Sequence, residues 1–236
     1  MIKYFSTICL CLSLFACKSE NNSEGTAVND NDLAQQEETL SKAKEEARAI
    51  ADASGETSWE EVEEVHFTFN VDRDTSHMAR SWIWKPKTEE ITMILDQDTT
   101  QYNRKNIDST VTNADKGFIN DSYWLLPQMH LVWDKTADLK VQDTATAPIS
   151  GELMKKITIT YPQEGGYTPG DAYDFFYDED YKIQEWIFRR GNATEPSMLT
   201  TWEDYETFNG IDIATTHESK DRTTKLYFTD VEVITE

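Results

Sequence analysis

Four histidines, His66, His77, His130 and His217, are the side chains here best suited to move a proton or hold a metal near neutral pH. They are widely spaced, and no two form a recognisable ligand pair. His217-Glu218 opens a zinc-protease helix motif but lacks the second histidine, and it falls in a segment of strand character. Asp96-Gln97-Asp98 begins like a calcium loop, yet the sixth position holds no glycine and the twelfth no glutamate, so a turn is expected. Nucleophilic and nucleotide chemistry have no footing either: Gly-x-Ser-x-Gly, the phosphate loop and Gly-x-Gly-x-x-Gly are all missing. Carboxylate pairs such as Asp72/Asp74 and Asp178/Asp180 are what an acidic chain places on solvated turns, and sequence alone does not set two of them across a sugar. The expectation is a protein without catalytic residues, metal or cofactor.

Thiol chemistry is confined to one position. Cys9 and Cys11 lie in an uncharged apolar run from Tyr4 to Phe15, preceded by Lys3, which has the layout of a secretory signal. That run is shorter than the roughly 20 apolar residues needed to span a bilayer. It ends in Leu14-Phe15-Ala16-Cys17, which resembles the lipobox of bacterial lipoproteins: an aliphatic residue at −3, a small residue at −1, then the acceptor cysteine. Cleavage of residues 1–16 leaves Cys17 as the sole thiol, so no disulfide forms within the mature chain. A single cysteine at a new N-terminus suits thioether lipidation better than a free thiol. The processing that the lipobox implies adds several acyl chains, palmitate among them, and at about 0.8 kcal/mol per buried methylene more than one chain anchors stably. The membrane is thus the first expected partner.

The whole chain is strongly acidic, with 44 Asp and Glu against 22 Lys and Arg and a net charge of −22, which becomes −23 when Lys3 leaves with the leader. Nucleic acid and anionic lipid surfaces both require a basic footprint and are excluded as partners. Roughly 220 residues follow the leader, enough for one domain with a sizeable core.

The elements follow from the pattern. Residues 17–31 read as the lipidated cysteine and a disordered polar tether. Residues 32–58 form an N-terminal helix and its connection: Asp32 is the expected N-cap, Leu33, Leu40, Ala43, Ala47 and Ile50 recur at helical spacing, and Ser54-Gly55 stops the run. The face would pack on a sheet, which would otherwise leave Leu40 and Ile50 exposed. From residue 59 to 236 the period becomes two. Val65-Phe67-Phe69-Val71, Trp82 to Trp84, Ile91-Met93-Leu95, Ile157-Ile159-Tyr161, Tyr173-Phe175-Tyr177, Ile183 to Phe188, Leu199 to Tyr205, Ile211-Ile213 and Leu226-Phe228 read as half-buried strands. Turn residues separate them, above all Asn209-Gly210, the signature of a type I′ hairpin. Strands at this spacing without intervening helices give a mostly antiparallel β meander. One interruption, Gly117 to Pro127, has approximate helical spacing at Phe118, Ser122, Leu125 and Leu126 and ends at proline.

The string Phe-Ile-Asn-Asp-Ser-Tyr-Trp-Leu-Leu-Pro at 118–127, the Gly-Gly-Tyr-Thr-Pro-Gly-Asp turn at 165–171 and the closing hairpin from Trp202 to Gly210 resemble uncharacterised outer-membrane lipoproteins. The domain of that family is similar to the lipoprotein-sorting carrier LolA and receptor LolB. The resemblance covers most of residues 59–236 and offers no catalytic residue to carry over. It implies a strongly curved half-barrel sheet, with a few helices covering an apolar concave face that accepts an acyl chain or a lipidated partner. It also implies export and attachment to the outer membrane, on its periplasmic face or at the cell surface. Residues two apart on a strand share a face, so Trp82 with Trp84 and Tyr173 with Phe175 each set two rings on one side. With Phe118, Tyr123, Trp124 and Leu126 from the helical interruption they are the candidate lining. Three readings stay open: a binding protein for a hydrophobic ligand, a non-catalytic envelope scaffold whose cavity is self-filled, and a glycan-related enzyme with an unrecognised site.

Overall fold

The structure is a computed structural model that describes residues 30–236. The leader, Cys17 and the tether up to residue 29 lie outside the described residues. The chain opens with α1 (Asp30–Ala53), followed by β1 (Val62–Arg73), β2 (Ser76–Lys85), β3 (Glu90–Leu95) and β4 (Asp98–Asn103). Two consecutive helices come next, α2 (Thr112–Leu125) and α3 (Pro127–Trp133). The second half holds β5 (Asp138–Thr146), β6 (Leu153–Thr160), β7 (Ala172–Tyr177), β8 (Ile183–Arg189), β9 (Met198–Thr201), β10 (Glu203–Phe208), β11 (Ile211–Glu218) and β12 (Thr224–Thr235).

All paired strands are antiparallel, as the period-two pattern and short turns require. They form an open curved wall in two pieces. One sheet has seven strands in the order β10-β11-β12-β1-β2-β3-β4, and the other five in the order β5-β6-β7-β8-β9. The pieces meet where β9 leaves the second sheet: Thr200 bridges to Ser219, and the Glu218 N–H donates to Thr201 Oγ1 at 3.1 Å. The expected strand from Leu199 to Tyr205 is therefore broken at Trp202, whose N–H donates back to Gln184 O at 2.8 Å. Asn209 and Gly210 both have positive φ, 44° and 84°, and join β10 to β11 in the hairpin expected of them.

The interruption is two helices where one is expected. Pro127 ends α2 but also begins α3, because a residue without an N–H loses nothing at the first position of a helix. The α2 helix starts at Thr112, six residues before Phe118, on a polar stretch with no apolar period.

At the N-terminus, α1 buries Ala43, Ala47, Ile50 and Ala51 against α3, β5 and β6, while Leu33 and Leu40 remain 46 % and 42 % exposed. Only its second half is packed, so the expected burial of Leu40 does not occur. Lys42 pairs with Asp143 of β5 at 2.6 Å. The chain leaves α1 through Gly55 at φ 89°, where a side chain would run into the Gly210 carbonyl; glycine both caps the helix and lets the β10–β11 hairpin approach.

Buried carboxylates fix α2 over the sheet. Asp121 is fully buried and accepts from Arg80 of β2 twice, Nε at 3.0 Å and Nη2 at 2.8 Å, and from Trp82 Nε1 at 2.8 Å. Burial pushes the Asp121 carboxyl upward, against the pull of Arg80, Asn120 and Trp82. Nearly two turns earlier Asp115 accepts from Arg104 Nε at 3.0 Å and from the Tyr167 hydroxyl at 2.8 Å, which ties the loop between β6 and β7 to the same helix.

Candidate functional site

Two aromatic clusters occupy the concavity, one on each side of α2. On the first side the structure packs Trp82, Trp84 and Phe118 together, with ring centres 5.6 Å (Trp82 to Phe118) and 5.3 Å (Trp84 to Phe118) apart. Trp59 and Trp133 close over Trp84 at 5.1 Å and 6.4 Å. On the second side Tyr123 and Trp124 meet the rings of β7 and β8: Trp124 lies 4.3 Å from Trp186, and Tyr173 stacks on Trp186 at 5.2 Å and on Phe188 at 5.1 Å.

Between the second cluster and the first sheet lies a cleft of about 970 Å³. Its apolar wall comes from Phe69 and Val71 of β1, Ile119, Tyr123 and Trp124 of α2, Tyr173 of β7, Trp186 and Phe188 of β8, and Leu226 of β12. Its rim is built from the β1–β2 hairpin, the start of α2, the 161–171 loop and the residues after β8. Of the eight candidate lining residues, Tyr123, Trp124 and Tyr173 line this cleft. Trp82, Trp84 and Phe118 stand in the first cluster, away from this cleft, and Leu126 and Phe175 are fully buried in the core. Strand residues of the wall outside that set, such as Phe69, Trp186 and Phe188, carry the same alternation in sequence. What marks them is which face of each strand turns inward, a property of sheet curvature and not of period.

Polar groups on the wall form one chain. His130 Nδ1 lies 3.0 Å from Asp134 Oδ2, which also accepts the Tyr161 hydroxyl at 2.5 Å. Burial pushes Asp134 up, but the contacts with His130 and Tyr161 outweigh it and hold the carboxyl below its ordinary range. Burial, reinforced by Asp134, drives the Tyr161 phenol far up, and burial does the same for Tyr123, so both stay protonated donors. The Tyr123 hydroxyl is buried without a hydrogen-bond partner among the described residues. His130 and Asp134 have the spacing of a base and its orienting carboxylate, yet no serine or cysteine is hydrogen-bonded to His130 among the described residues. The third member is a phenol locked into donating. Such a chain fixes protons in place. Among the described residues, no group of three His, Cys, Asp or Glu side chains is placed to hold a metal ion.

His217, singled out in the sequence for its Glu218 neighbour, sits in β11 with its side chain fully buried. Its ring lies 4.1 Å from Trp202 and 5.3 Å from Trp124, and neither nitrogen makes a well-formed hydrogen bond among the described residues. It belongs to the core behind the cleft.

No family model and no curated protein matches the chain. Solved structures to which the chain is similar include a LolA superfamily protein from Nitrosomonas europaea, 9 % identical over 80 % of this chain and 94 % of that one, with a TM-score of 0.48. A domain from Vibrio parahaemolyticus provisionally assigned to outer membrane lipoprotein sorting is 10 % identical over 82 % of this chain and 93 % of that one, TM-score 0.49. A DUF1329 family protein from Desulfovibrio piger is 10 % identical over 83 % and 93 %, TM-score 0.47.

Proposed function

We propose that this chain is an exported envelope lipoprotein, held on a membrane by acyl chains on Cys17, whose cleft binds a hydrophobic ligand such as an acyl chain or a lipidated partner. The observation that carries the reading is the cleft itself. It is not filled by the protein's own side chains and is open at its rim, so an apolar group can reach the aromatic wall. A volume of about 970 Å³ lies within the rough 300–1,000 Å³ range of ligand sites, and its wall of aromatic and branched side chains suits a flexible hydrocarbon. The scaffold reading keeps one observation in its favour: the Trp82, Trp84 and Phe118 side of the concavity is filled by its own rings.

The test is a fluorescent fatty-acid probe titrated onto the purified full-length chain after retained lipid has been stripped. Saturable micromolar binding is expected, and Ile119→Trp, which places a larger ring where a half-buried wall residue stands, should weaken it about tenfold or more with little change in melting temperature. A stripped wild-type protein that binds no probe would leave the scaffold as the better reading.

The anchor is tested separately. Cys17→Ser is expected to abolish incorporation of radioactive palmitate and to release the protein from the membrane fraction, since among the described residues no helix is long and apolar enough to cross a bilayer. Palmitate labelling that survives the substitution would refute the assignment of Cys17.

A further inference from the structure

We infer that the occupant of the cleft carries an anionic head group, held at the rim by Arg73, Lys116 and Arg190. The inference rests on reading the cleft as an acyl site and adds the chemistry of the other end of the ligand.

The first observation is a reversal of charge. Across the whole chain acidic residues outnumber Lys and Arg two to one, 44 against 22. Along the cleft the order inverts: Arg73, Arg80, Arg104, Lys116 and Arg190 face only Asp134, Glu164 and Asp171. A surface that is acidic for solubility has no reason to gather cations around a large apolar concavity.

The second observation is how these charges are used. Arg80 and Arg104 are structural, because Asp121 and Asp115 of α2 hold them from behind. Two of the three acids are likewise engaged: Asp134 takes the His130 and Tyr161 hydrogens, and Asp171 accepts the Gly191 N–H at 2.7 Å. Glu164 stands on the exposed loop. Arg73, Lys116 and Arg190 make no ion pair among the described residues, and all three are exposed. They come from three separate elements of the rim: the end of β1, the first half of α2 and the residue after β8. The Lys116 ammonium is kept near the rim by the Tyr167 ring, 5.7 Å away on the facing loop.

Unpaired cations where an apolar wall meets water are the arrangement an amphiphile with a negative head requires. The tail displaces water along the wall, and the head remains at the solvent boundary, where a low-dielectric surface behind it strengthens the attraction. A zwitterionic or uncharged head gains little from three cations. Carboxylate and phosphate share the chemistry, so the head is a fatty-acid carboxylate or the phosphate of a lipid.

The experiment is displacement of a neutral fluorescent fatty-acyl ester from the stripped full-length chain at low salt. Competitors are a long-chain fatty acid, its methyl ester, a lysophosphatidic acid and the matching lysophosphatidylcholine. The fatty acid or the lysophosphatidic acid is expected to displace the probe at about tenfold lower concentration than the uncharged and zwitterionic competitors, and the stronger of the two names the head. That preference should vanish in the triple variant Arg73→Gln, Lys116→Gln, Arg190→Gln and in about 0.5 M salt, while the methyl ester displaces as before. Equal displacement by acid and ester in the wild-type protein would overturn the anionic head and leave the acyl cleft standing. An acid preference that survives the triple variant would overturn the assignment of these three residues. Failure of the neutral probe to bind at all would remove the acyl reading and this inference with it.

Discussion

Trp124→Ala is expected to destabilise the protein by about 3–5 kcal/mol and to lower its melting temperature by roughly 10 °C or more. Trp124 is 6 % exposed and stands at the junction of the helices and both sheets. Its ring meets Trp186 of β8 at 4.3 Å, stacks on Trp202 at 5.8 Å and touches His217 of β11 at 5.3 Å. Truncation removes the transfer energy of an indole and leaves a void between elements that cannot close on it. Trp186 is fixed by the β7–β8–β9 ladder, Trp202 by its backbone hydrogen bond to Gln184, and α2 by the Arg80–Asp121 contact. Partial collapse is therefore resisted from three sides, which keeps the cost within the range for aromatic truncations. Urea denaturation followed by circular dichroism measures it, with Leu153→Ala as the control. Leu153 is 72 % exposed, so its loss should change stability by no more than about 0.5 kcal/mol. A change below about 1 kcal/mol for Trp124→Ala would mean that α2 is not docked as described.

The same residues show what the sequence could and could not disclose. Alternation identifies a strand only where one face is wet. It is plain in β1, where Val65, Phe67 and Phe69 are buried and the residues between them, His66 and Thr68, are half-exposed. It says less in β7, which is buried at all six positions because both of its faces are covered. It is nearly silent in β4 and β5, Asp-Thr-Thr-Gln-Tyr-Asn and Asp-Leu-Lys-Val-Gln-Asp-Thr-Ala-Thr, which were not expected as strands. Both stand at sheet edges, where main-chain pairing on one side suffices and polar side chains guard the other.

The start of α2 was hidden for a related reason. Residues 112–117 have no apolar period, and what holds them is the bond from Arg104 to Asp115, a tertiary contact. The cleft is the least legible feature. Tyr173 and Phe175 share a face of β7, yet Tyr173 lines the cleft and Phe175 is sealed beneath it. Distance along a curved strand, which no pattern of two records, separates them.

Between pH 7 and pH 5 the wild-type protein is expected to lose about 2 kcal/mol of stability through His217 alone, a loss that His217→Phe should abolish. Burial among Trp202, Trp124 and Phe228 draws the imidazole down from 6.5 to about 3, with the Thr201 backbone opposing only slightly. Among the described residues no carboxylate acts on the ring to stabilise its charged form, so desolvation sets the direction. The sign follows from proton uptake. Between the two values the unfolded chain binds the proton and the folded chain does not, so stability rises with pH across that window and is lost as pH falls through it. At pH 7 the ring is neutral in both states and contributes no such loss. There its two unpartnered nitrogens are a standing desolvation cost, so an apolar ring of similar shape should leave stability at pH 7 unchanged or slightly higher. Carboxylates also begin to titrate toward pH 5, but they are common to both proteins, and the difference between wild type and variant isolates the histidine. His217→Leu serves the same purpose if the phenyl ring overpacks the site. Urea midpoints at pH 7 and pH 5 for the wild type and either variant decide the matter: parallel losses in both proteins would show that the ring is protonated in the folded state and that the core around Trp202 admits water.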